Sequence, residues 1–230
     1  MKTLYIVGPT ASGKTALSVE LAQALNAEII CADSQTLRRG LDIGTAKPSK
    51  AEMQGIPHHM LDVIDPYDHY SLALYQSQAR ELISSINAHN KLAIIVGGTG
   101  LYVDSLYFNF TLPQISKVAD EGLDSMQPEE LQDMIKSRGL VLPGNSKNKR
   151  HLINTIIRGG EVGHKGAPEP GSMIVGINPG MRTLTDRIGA RVDKMFEGGF
   201  IDEVRGVINV YGRPPKNFDA IGYRIALRFL

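Results

Sequence analysis

The feature that most constrains this chain is a glycine-rich segment near its N-terminus, Gly8-Pro9-Thr10-Ala11-Ser12-Gly13-Lys14-Thr15. It fits the P-loop pattern, which connects a strand to a helix. Backbone N–H groups of such a loop surround an anion at the helix N-terminus, and the lysine ammonium adds a positive charge. The segment therefore predicts a phosphate-binding α/β protein in which the hydroxyl of Thr15 is placed to ligate Mg²⁺.

The residues on either side of this loop predict a strand and a helix. Residues 4–7 form a short apolar run, which is typical of a buried strand. A helix is expected after the loop, because leucines at positions 17, 21 and 25 fall on one helical face. A second apolar run over residues 27–32 ends at Asp33 and predicts another strand. This order of elements implies parallel pairing through a right-handed crossover.

The remaining pattern divides the chain into a core and an insertion. Strands are predicted over residues 60–64, 91–96 and 172–177, and helices over 71–89, 128–138, 147–158 and 183–198. The last helix is expected to turn Leu184, Ile188, Val192 and Met195 inward. We expect a P-loop NTPase-like α/β core, a parallel sheet flanked by helices, over residues 1–111 and 172–230. A small, mostly helical insertion is expected over residues 112–171.

Composition excludes several classes of protein. The 230 residues carry a formal net charge of +1, so any contact with nucleic acid must come from a local basic patch. The single cysteine, Cys31, excludes an intramolecular disulfide and a cysteine-based zinc cluster. We expect no signal peptide, because the first predicted strand begins at residue 4, and no membrane span, because no apolar run approaches roughly 20 residues. We expect a cytoplasmic enzyme without a membrane partner, and a monomer is the simplest assembly.

Two strand ends supply further candidate site residues. Asp33 follows the second predicted strand, and residues 97–100, Gly-Gly-Thr-Gly, follow the strand over 91–96. Ligands of α/β proteins bind at the carboxyl ends of strands, where Asp33 is able to hold Mg²⁺ through water or to accept a proton. A turn or a helix cap is the alternative role for Asp33. Thr99 offers a hydroxyl at the same edge, where NTP-hydrolysing enzymes usually carry a magnesium-binding Asp. The absence of an Asp at the end of this strand argues against an ATP-driven motor or a GTPase switch.

Several other residues admit two interpretations. His58 and His59 resemble half of a metal site, but packing within a loop is the favoured interpretation. Cys31 is expected to belong to the core. The basic cluster over residues 147–151 is either a solvated helix face or a phosphate contact. Arg187 and Arg191, four residues apart, either reach a pyrophosphate from their helix or lie on the surface.

Longer motifs make the chain similar to the tRNA dimethylallyltransferases. In the first half these motifs are residues 8–15, 32–34, 39–48, 56–59, 65–66, 70–71 and 97–102. In the last third they are residues 187–188, 191–192, 195, 198–200, 203–204 and 220–224. The resemblance covers most of the chain apart from roughly residues 112–175.

This resemblance implies a specific chemistry. Family members transfer the dimethylallyl group of dimethylallyl diphosphate to the exocyclic amine of the adenine beside the anticodon in tRNA. It implies that residues 8–15 hold the diphosphate leaving group, where Lys14, Thr15 and Mg²⁺ stabilise the developing charge. Asp33 resembles the family's general base and Thr99 its partner. The adenine must be turned out of the anticodon loop to reach such a site.

The resemblance also implies where tRNA binds and where this chain departs from the family. Contacts to tRNA are implied at Asp33, Ser34, Gln35, Thr36, Thr99 and Arg150. Family members usually carry Gln and Tyr where this chain has Thr36 and Arg38, and of an arginine-rich stretch only Arg150 is kept. They continue into a basic, tryptophan-containing helix, whereas this chain ends at Leu230 without a tryptophan. The sequence therefore resembles a short or C-terminally truncated member.

Three alternative functions stay open on the sequence. An isopentenyltransferase for free adenine nucleotides shares the P-loop and Asp33 and needs less tRNA-binding surface. A small-molecule kinase uses the same loop to transfer phosphate. A non-catalytic RNA- or nucleotide-binding module predicts loss of Lys14 or Asp33, and both are present.

Overall fold

A computed structural model of the chain describes residues 2–113, 122–214 and 220–230. Within those residues, five strands form one parallel sheet in the order β3-β2-β4-β1-β5. The strands are β1 (Thr3–Val7), β2 (Ala27–Cys31), β3 (His58–His59), β4 (Leu92–Gly97) and β5 (Ser172–Gly176). The predicted α/β core with a parallel sheet is confirmed.

Nine helices are present in the same described residues. They are α1 (Lys14–Leu25), α2 (Lys50–Met53), α3 (Leu72–Ala88), α4 (Gly100–Tyr107), α5 (Pro128–Ser137), α6 (Lys149–Ile157), α7 (Met181–Glu197), α8 (Phe200–Tyr211) and α9 (Ile221–Ala226). The helices predicted from periodicity are confirmed with small shifts of their ends. No prediction covered α2, α4, α8 or α9, which are short or follow glycine-rich motifs.

The three central strands are buried on both faces, as expected for a parallel sheet covered by helices. Residues Ile6, Ile30, Ile94 and Ile95 have no exposed surface and form the middle of the main core. The order in which strands are added to the sheet changes sides at β1, because β2 and β4 lie on one side of it and β5 lies on the other. Such a change of side places a crevice at the carboxyl ends of the strands.

The predicted strand over residues 60–64 is wrong. The edge strand is β3, in which His58 pairs with Ile29 and His59 with Ile30. Met60 and Asp62 have φ angles of 63° and 53°, in the left-handed region, which an extended strand does not tolerate.

Two predicted apolar faces also differ from the structure. In α1 the predicted Leu17 and Leu21 are partly buried against the main core, but Leu25 is exposed and the fully buried side chains are Ser18, Val19 and Ala22. In α7 only Leu184 of the predicted inward set is buried. Ile188 and Val192 are each 42% exposed, since this helical face borders an open cavity rather than the core.

The backbone divides into two compact units, of which the first comprises Met1–Phe108 and Ala167–Leu230. The second unit, Asn109–Gly166, contains α5 and α6, whose core consists of Leu123, Leu131, Ile135, Leu152 and Ile156. At the start of α5 the Glu130 carboxylate accepts the Gln127 N–H at 2.7 Å, and at the start of α6 the Asn148 side chain accepts the Arg150 N–H at 3.0 Å. Residues 114–121 of the predicted insertion lie outside the described residues.

A search for helices able to cross a membrane found no candidate among the described residues.

Candidate active site

The P-loop connects β1 to α1, as its pattern predicts. Gly13 precedes the helix with a φ of 97°, a left-handed conformation that glycine adopts without a steric penalty. The Lys14 ammonium folds back onto its own loop and donates to the carbonyls of Gly8 and Pro9, at 2.9 and 2.8 Å. The buried Ser12 hydroxyl has no partner among the described residues. The loop thus holds a lysine and an unused hydroxyl at a helix N-terminus, an arrangement suited to an anion.

Two glycines at this edge are required by close backbone approach. A Cβ atom at Gly97 would lie 2.0 Å from the carbonyl oxygen of Ala32, and one at Gly8 would lie 2.6 Å from that of Ile177. No side chain fits at such distances. The end of β4 therefore carries glycine where many P-loop enzymes carry an acidic residue, and the Ala32 N–H donates to the Val96 carbonyl at 2.7 Å beside it.

Asp33 lies two residues after the end of β2 and is held by its neighbours. Its Oδ1 accepts the Gln35 N–H at 2.8 Å, in a local turn that fixes the carboxylate. The Thr99 hydroxyl accepts the Ser34 N–H at 3.0 Å, which ties the segment after Asp33 to the end of β4. Thr36 is buried and its hydroxyl donates to the Asp33 carbonyl at 3.4 Å. The predicted group Asp33, Ser34 and Thr99 is thus brought together at the strand ends.

These elements border a cavity of about 860 Å³ within the first unit. Its strand-end side is formed by residues from Thr10 to Thr15, Asp33, Gln35, Thr36, Val96, Gly97 and Gly98. Its other contributors are Gly44, Thr45, Ala46, Pro48, Glu52, Arg187, Ile188, Arg191, Val192, Met195 and residues from Ala220 to Tyr223, together with smaller patches from α1, β2 and β3. The cavity therefore offers phosphate-binding backbone, two carboxylates, two arginines and an apolar patch.

Both arginines of α7 that the sequence left undecided belong to this cavity. Arg187 donates to the Ser12 carbonyl of the P-loop at 3.3 Å, and Arg191 donates to the Thr45 carbonyl at 3.4 Å. Burial lowers the pKa of Arg191 and of Lys14, while the negative charge of Asp33 acts in the opposite direction on both. Three cations, Lys14, Arg187 and Arg191, and two carboxylates, Asp33 and Glu52, thus line the cavity. The remaining excess of positive charge favours an anionic ligand.

The remaining sequence candidates lie elsewhere or have other partners. His59 bonds to Glu28 at 2.7 Å, and the His58 Nδ1–H donates to the Ile56 carbonyl at 2.8 Å. Cys31 is a buried core residue, as predicted, and burial raises the pKa of its thiol to about 12. Arg150 lies exposed on α6 in the second unit.

Sequence reasoning left two features of this site without a structural role. Gln35, implied only as a contact to tRNA, lines the cavity, and its Oε1 is buried without a hydrogen-bond partner among the described residues. Glu203 of α8 binds the loop that supplies Gly44 and Thr45. The only sequence signal for Glu203 was its place in a family motif, which gives no contact.

The side chains at this cavity determine whether a metal ion fits there. No group of three or more His, Cys, Asp or Glu side chains able to hold a metal ion occurs among the described residues. Thr15 and Asp33 do line the same cavity, and Mg²⁺ is commonly held by one or two protein oxygens together with substrate phosphates. The residues present therefore fit Mg²⁺ that arrives with a diphosphate, and do not form a complete protein cage.

The sequence of this chain is similar to a known family of transferases. The sequence model of the family described as "IPP transferase" matches residues 37–230. The chain is 37% identical over 246 residues to a tRNA dimethylallyltransferase of Bacillus cereus (strain B4264), covering 97% of this chain and 76% of that protein. It is 36% identical over 238 residues to a tRNA dimethylallyltransferase of Bacillus subtilis (strain 168), covering 96% and 76%.

A solved structure extends the similarity to the fold. The crystal structure of the full-length tRNA isopentenylpyrophosphate transferase from Bacillus halodurans superimposes with a TM-score of 0.73 at 35% identity. The match covers 99% of this chain and 76% of that one. Together with the family match over most of the sequence, these similarities confirm the resemblance based on the motifs: the chain belongs to the IPP transferase family.

Proposed function

We propose that this chain is a prenyltransferase that transfers the dimethylallyl group of dimethylallyl diphosphate to the exocyclic amine of the adenine adjacent to the anticodon in tRNA. The observation that carries the proposal is the convergence of a P-loop, Asp33 and two α7 arginines on one cavity. The names of the relatives at 36–37% identity support the same substrates. A cytoplasmic monomer remains our expectation for the working enzyme.

The donor's diphosphate is assigned to the P-loop. Backbone N–H groups of residues 8–15 and the Lys14 ammonium face the anion, and Arg187 lies close enough to the loop to share it. Lys14 must leave the carbonyls of Gly8 and Pro9 to do so. A phosphate oxygen is the stronger partner, because both groups are then charged. Apolar side chains of Ile188, Val192 and Met195 border the same cavity and suit the prenyl chain.

The acceptor amine is assigned to Asp33. As the amine nitrogen forms its bond to the allylic carbon, the carbon–oxygen bond to the diphosphate breaks and one amine proton passes to an Asp33 carboxylate oxygen. The electron pair of the broken bond leaves on the diphosphate, where Lys14 and the arginines stabilise it. Thr99 acts through Asp33, since its hydroxyl anchors the Ser34 N–H next to that carboxylate.

Mg²⁺ is proposed to enter with the diphosphate, with Thr15 as its protein ligand. A bound Mg²⁺ would supply additional charge neutralisation for the leaving group. Contacts to the RNA are proposed at Ser34, Gln35 and Thr36 beside Asp33, and at Arg150 of the second unit.

The test offers three acceptors to the same protein. Labelled dimethylallyl diphosphate and Mg²⁺ are incubated with an anticodon stem-loop containing the target adenine, with AMP, or with a stem-loop in which guanine replaces that adenine. Label on the adenine stem-loop alone is the expected result. Label on AMP alone would replace this proposal with a free-nucleotide enzyme. Phosphate transfer from ATP to a small acceptor in a parallel reaction would replace it with a kinase.

A further inference from the structure

One side of the cavity is a loop whose successive backbone N–H groups are bound by a carboxylate of α8. The loop, residues 42–46, supplies Gly44, Thr45 and Ala46 to the cavity lining. Glu203 of α8 accepts the backbone N–H groups of Asp42 and Ile43 at 2.9 and 2.7 Å through Oε2, and that of Gly44 at 3.1 Å through Oε1. Three successive N–H groups around one carboxylate form an anion nest, and such charge-assisted bonds are stronger than neutral ones.

A fourth bond joins the same carboxylate to α9. The Tyr223 hydroxyl donates to Glu203 Oε1, and the ring of Tyr223 packs edge to face on Phe200 at 5.2 Å between centroids. A Cβ at Gly44 would fall 2.3 Å from the Phe200 ring and 2.6 Å from the Tyr223 ring. The loop is therefore fitted against both rings while Glu203 fixes its backbone.

The loop in turn contacts an arginine of the proposed diphosphate site. Arg191 Nη2 donates to the Thr45 carbonyl at 3.4 Å. Arg191 lines the cavity and lies within electrostatic range of Asp33. A shift of the Thr45 carbonyl would change the direction in which the Arg191 guanidinium points.

We propose that Glu203 is a positioning residue for the diphosphate site. By holding the N–H groups of residues 42–44, it sets the Thr45 carbonyl and through it the orientation of Arg191. The inference rests on the proposed function, in which Arg191 helps to bind the donor's diphosphate. A purely structural role for Glu203 predicts lower stability of the fold with unchanged affinity of the folded protein for an anion.

The test compares two neighbouring acids on α8. Glu203→Gln keeps the size of the side chain, removes its charge and places an amide donor against N–H groups. Asp202→Asn is the matched control, because Asp202 is 81% exposed and pairs with Arg205 at 3.0 Å on the surface. Binding of inorganic pyrophosphate with Mg²⁺ is measured by calorimetry, together with thermal unfolding and steady-state kinetics.

We expect Glu203→Gln to weaken pyrophosphate binding and to raise KM for dimethylallyl diphosphate by about 10-fold, the loss of one bond to a charged group. KM for the RNA is expected to stay within about twofold, and Asp202→Asn to match the wild type. In the Glu203→Gln background, Arg191→Ala should add much less than it does alone, because both changes disturb one interaction. Unchanged pyrophosphate affinity in folded Glu203→Gln, or additive effects of the two substitutions, would overturn the inference.

A milder variant covers the case in which Glu203→Gln does not fold. Tyr223→Phe removes one of the four bonds to the carboxylate and keeps the ring that packs on Phe200. It should weaken pyrophosphate binding about threefold, again with less than additive coupling to Arg191→Ala. The pyrophosphate titration needs no acceptor, so a wild type that binds pyrophosphate without modifying RNA would refute the proposed function alone.

Discussion

Two parts of the cavity are held in place by different means. The strand-end wall, which comprises residues 10–15, Asp33 and Gly97, is held by the backbone bonds of the parallel sheet, by short-range bonds and by the bond from the Ser34 N–H to the Thr99 hydroxyl. The helical wall, which comprises Thr45, Arg187, Arg191 and Tyr223, depends on bonds between residues far apart in sequence, such as the one from the Asp42 N–H to the Glu203 carboxylate, 161 positions away. Motifs at the strand ends therefore predict the first wall, whereas nothing in the local sequence indicates the Glu203 bonds that hold the second.

The largest expected effect comes from the reacting group of the strand-end wall. Asp33→Asn should lower the rate of prenyl transfer by about 10²- to 10⁴-fold, because the amide cannot accept the amine proton. Pyrophosphate affinity should change little, since the P-loop is untouched. Transfer rates at saturating donor and RNA provide the measurement, and a variant that keeps the full rate would remove Asp33 from its proposed role.

The next effect tests how rigid the strand-end wall is. Gly97→Ala should reduce the free energy of unfolding, because the added Cβ would collide with the Ala32 carbonyl. We expect a loss of about 3 kcal/mol, the upper end of the usual cost of overpacking. Gly98→Ala is the control, since its Cβ would lie 4.0 Å from Asp33 Oδ2, an ordinary contact. Denaturant unfolding of both variants measures the difference in the free energy of unfolding. Equal values would show that the backbone of the strand-end wall shifts at little cost to accommodate a Cβ at position 97.

A smaller effect is expected from the helical wall. Arg187→Ala should raise KM for dimethylallyl diphosphate by about 10-fold and leave KM for the RNA unchanged, because Arg187 lies against the P-loop carbonyl of Ser12. Arg182→Ala, an exposed arginine on the same helix, serves as control. If both variants raise the donor's KM equally, Arg187 acts only through the general surface charge.

The smallest effect concerns the edge strand beside the strand-end wall. Burial lowers the pKa of His58 below its ordinary 6.5, so the unfolded chain binds more protons as pH falls through that value. Stability should therefore decrease on acidification below about pH 6.5. His58→Asn keeps a donor for the Ile56 carbonyl and removes this titration.

The measurement is the melting temperature of both proteins between neutral and acid pH. On acidification, the melting temperature of the wild type should fall further than that of His58→Asn. The difference between the two melting temperatures should change by less than about 4 °C, roughly 1 kcal/mol for a chain of this size. Titration of Glu28, whose pKa is lowered by its bonds to Lys91 and His59, affects both proteins alike. Parallel curves would exclude a contribution from His58.

The contrast between the walls also explains what the sequence could predict. The P-loop, the strand before it and Asp33 form a short local pattern, and the structure places them as that pattern predicts. The role of Glu203 escaped prediction because nothing near it in sequence indicates the loop that it binds. The α7 residues Ile188 and Val192 were assigned to the core because helical periodicity shows that a face is apolar, but not whether a core or a cavity lies against it. The strand predicted over 60–64 was wrong because Met60 and Asp62 adopt left-handed φ angles. Glycine usually signals such a conformation in a sequence, and neither residue is a glycine.

The central claim is that the P-loop holds the diphosphate leaving group of an allylic donor. Its most direct test is inhibition of transfer by inorganic pyrophosphate at several concentrations of dimethylallyl diphosphate, with the RNA saturating. Our account predicts competitive inhibition against the donor, with a much larger inhibition constant in Lys14→Ala. Inhibition that does not depend on donor concentration, or that is unaffected by Lys14→Ala, would contradict it.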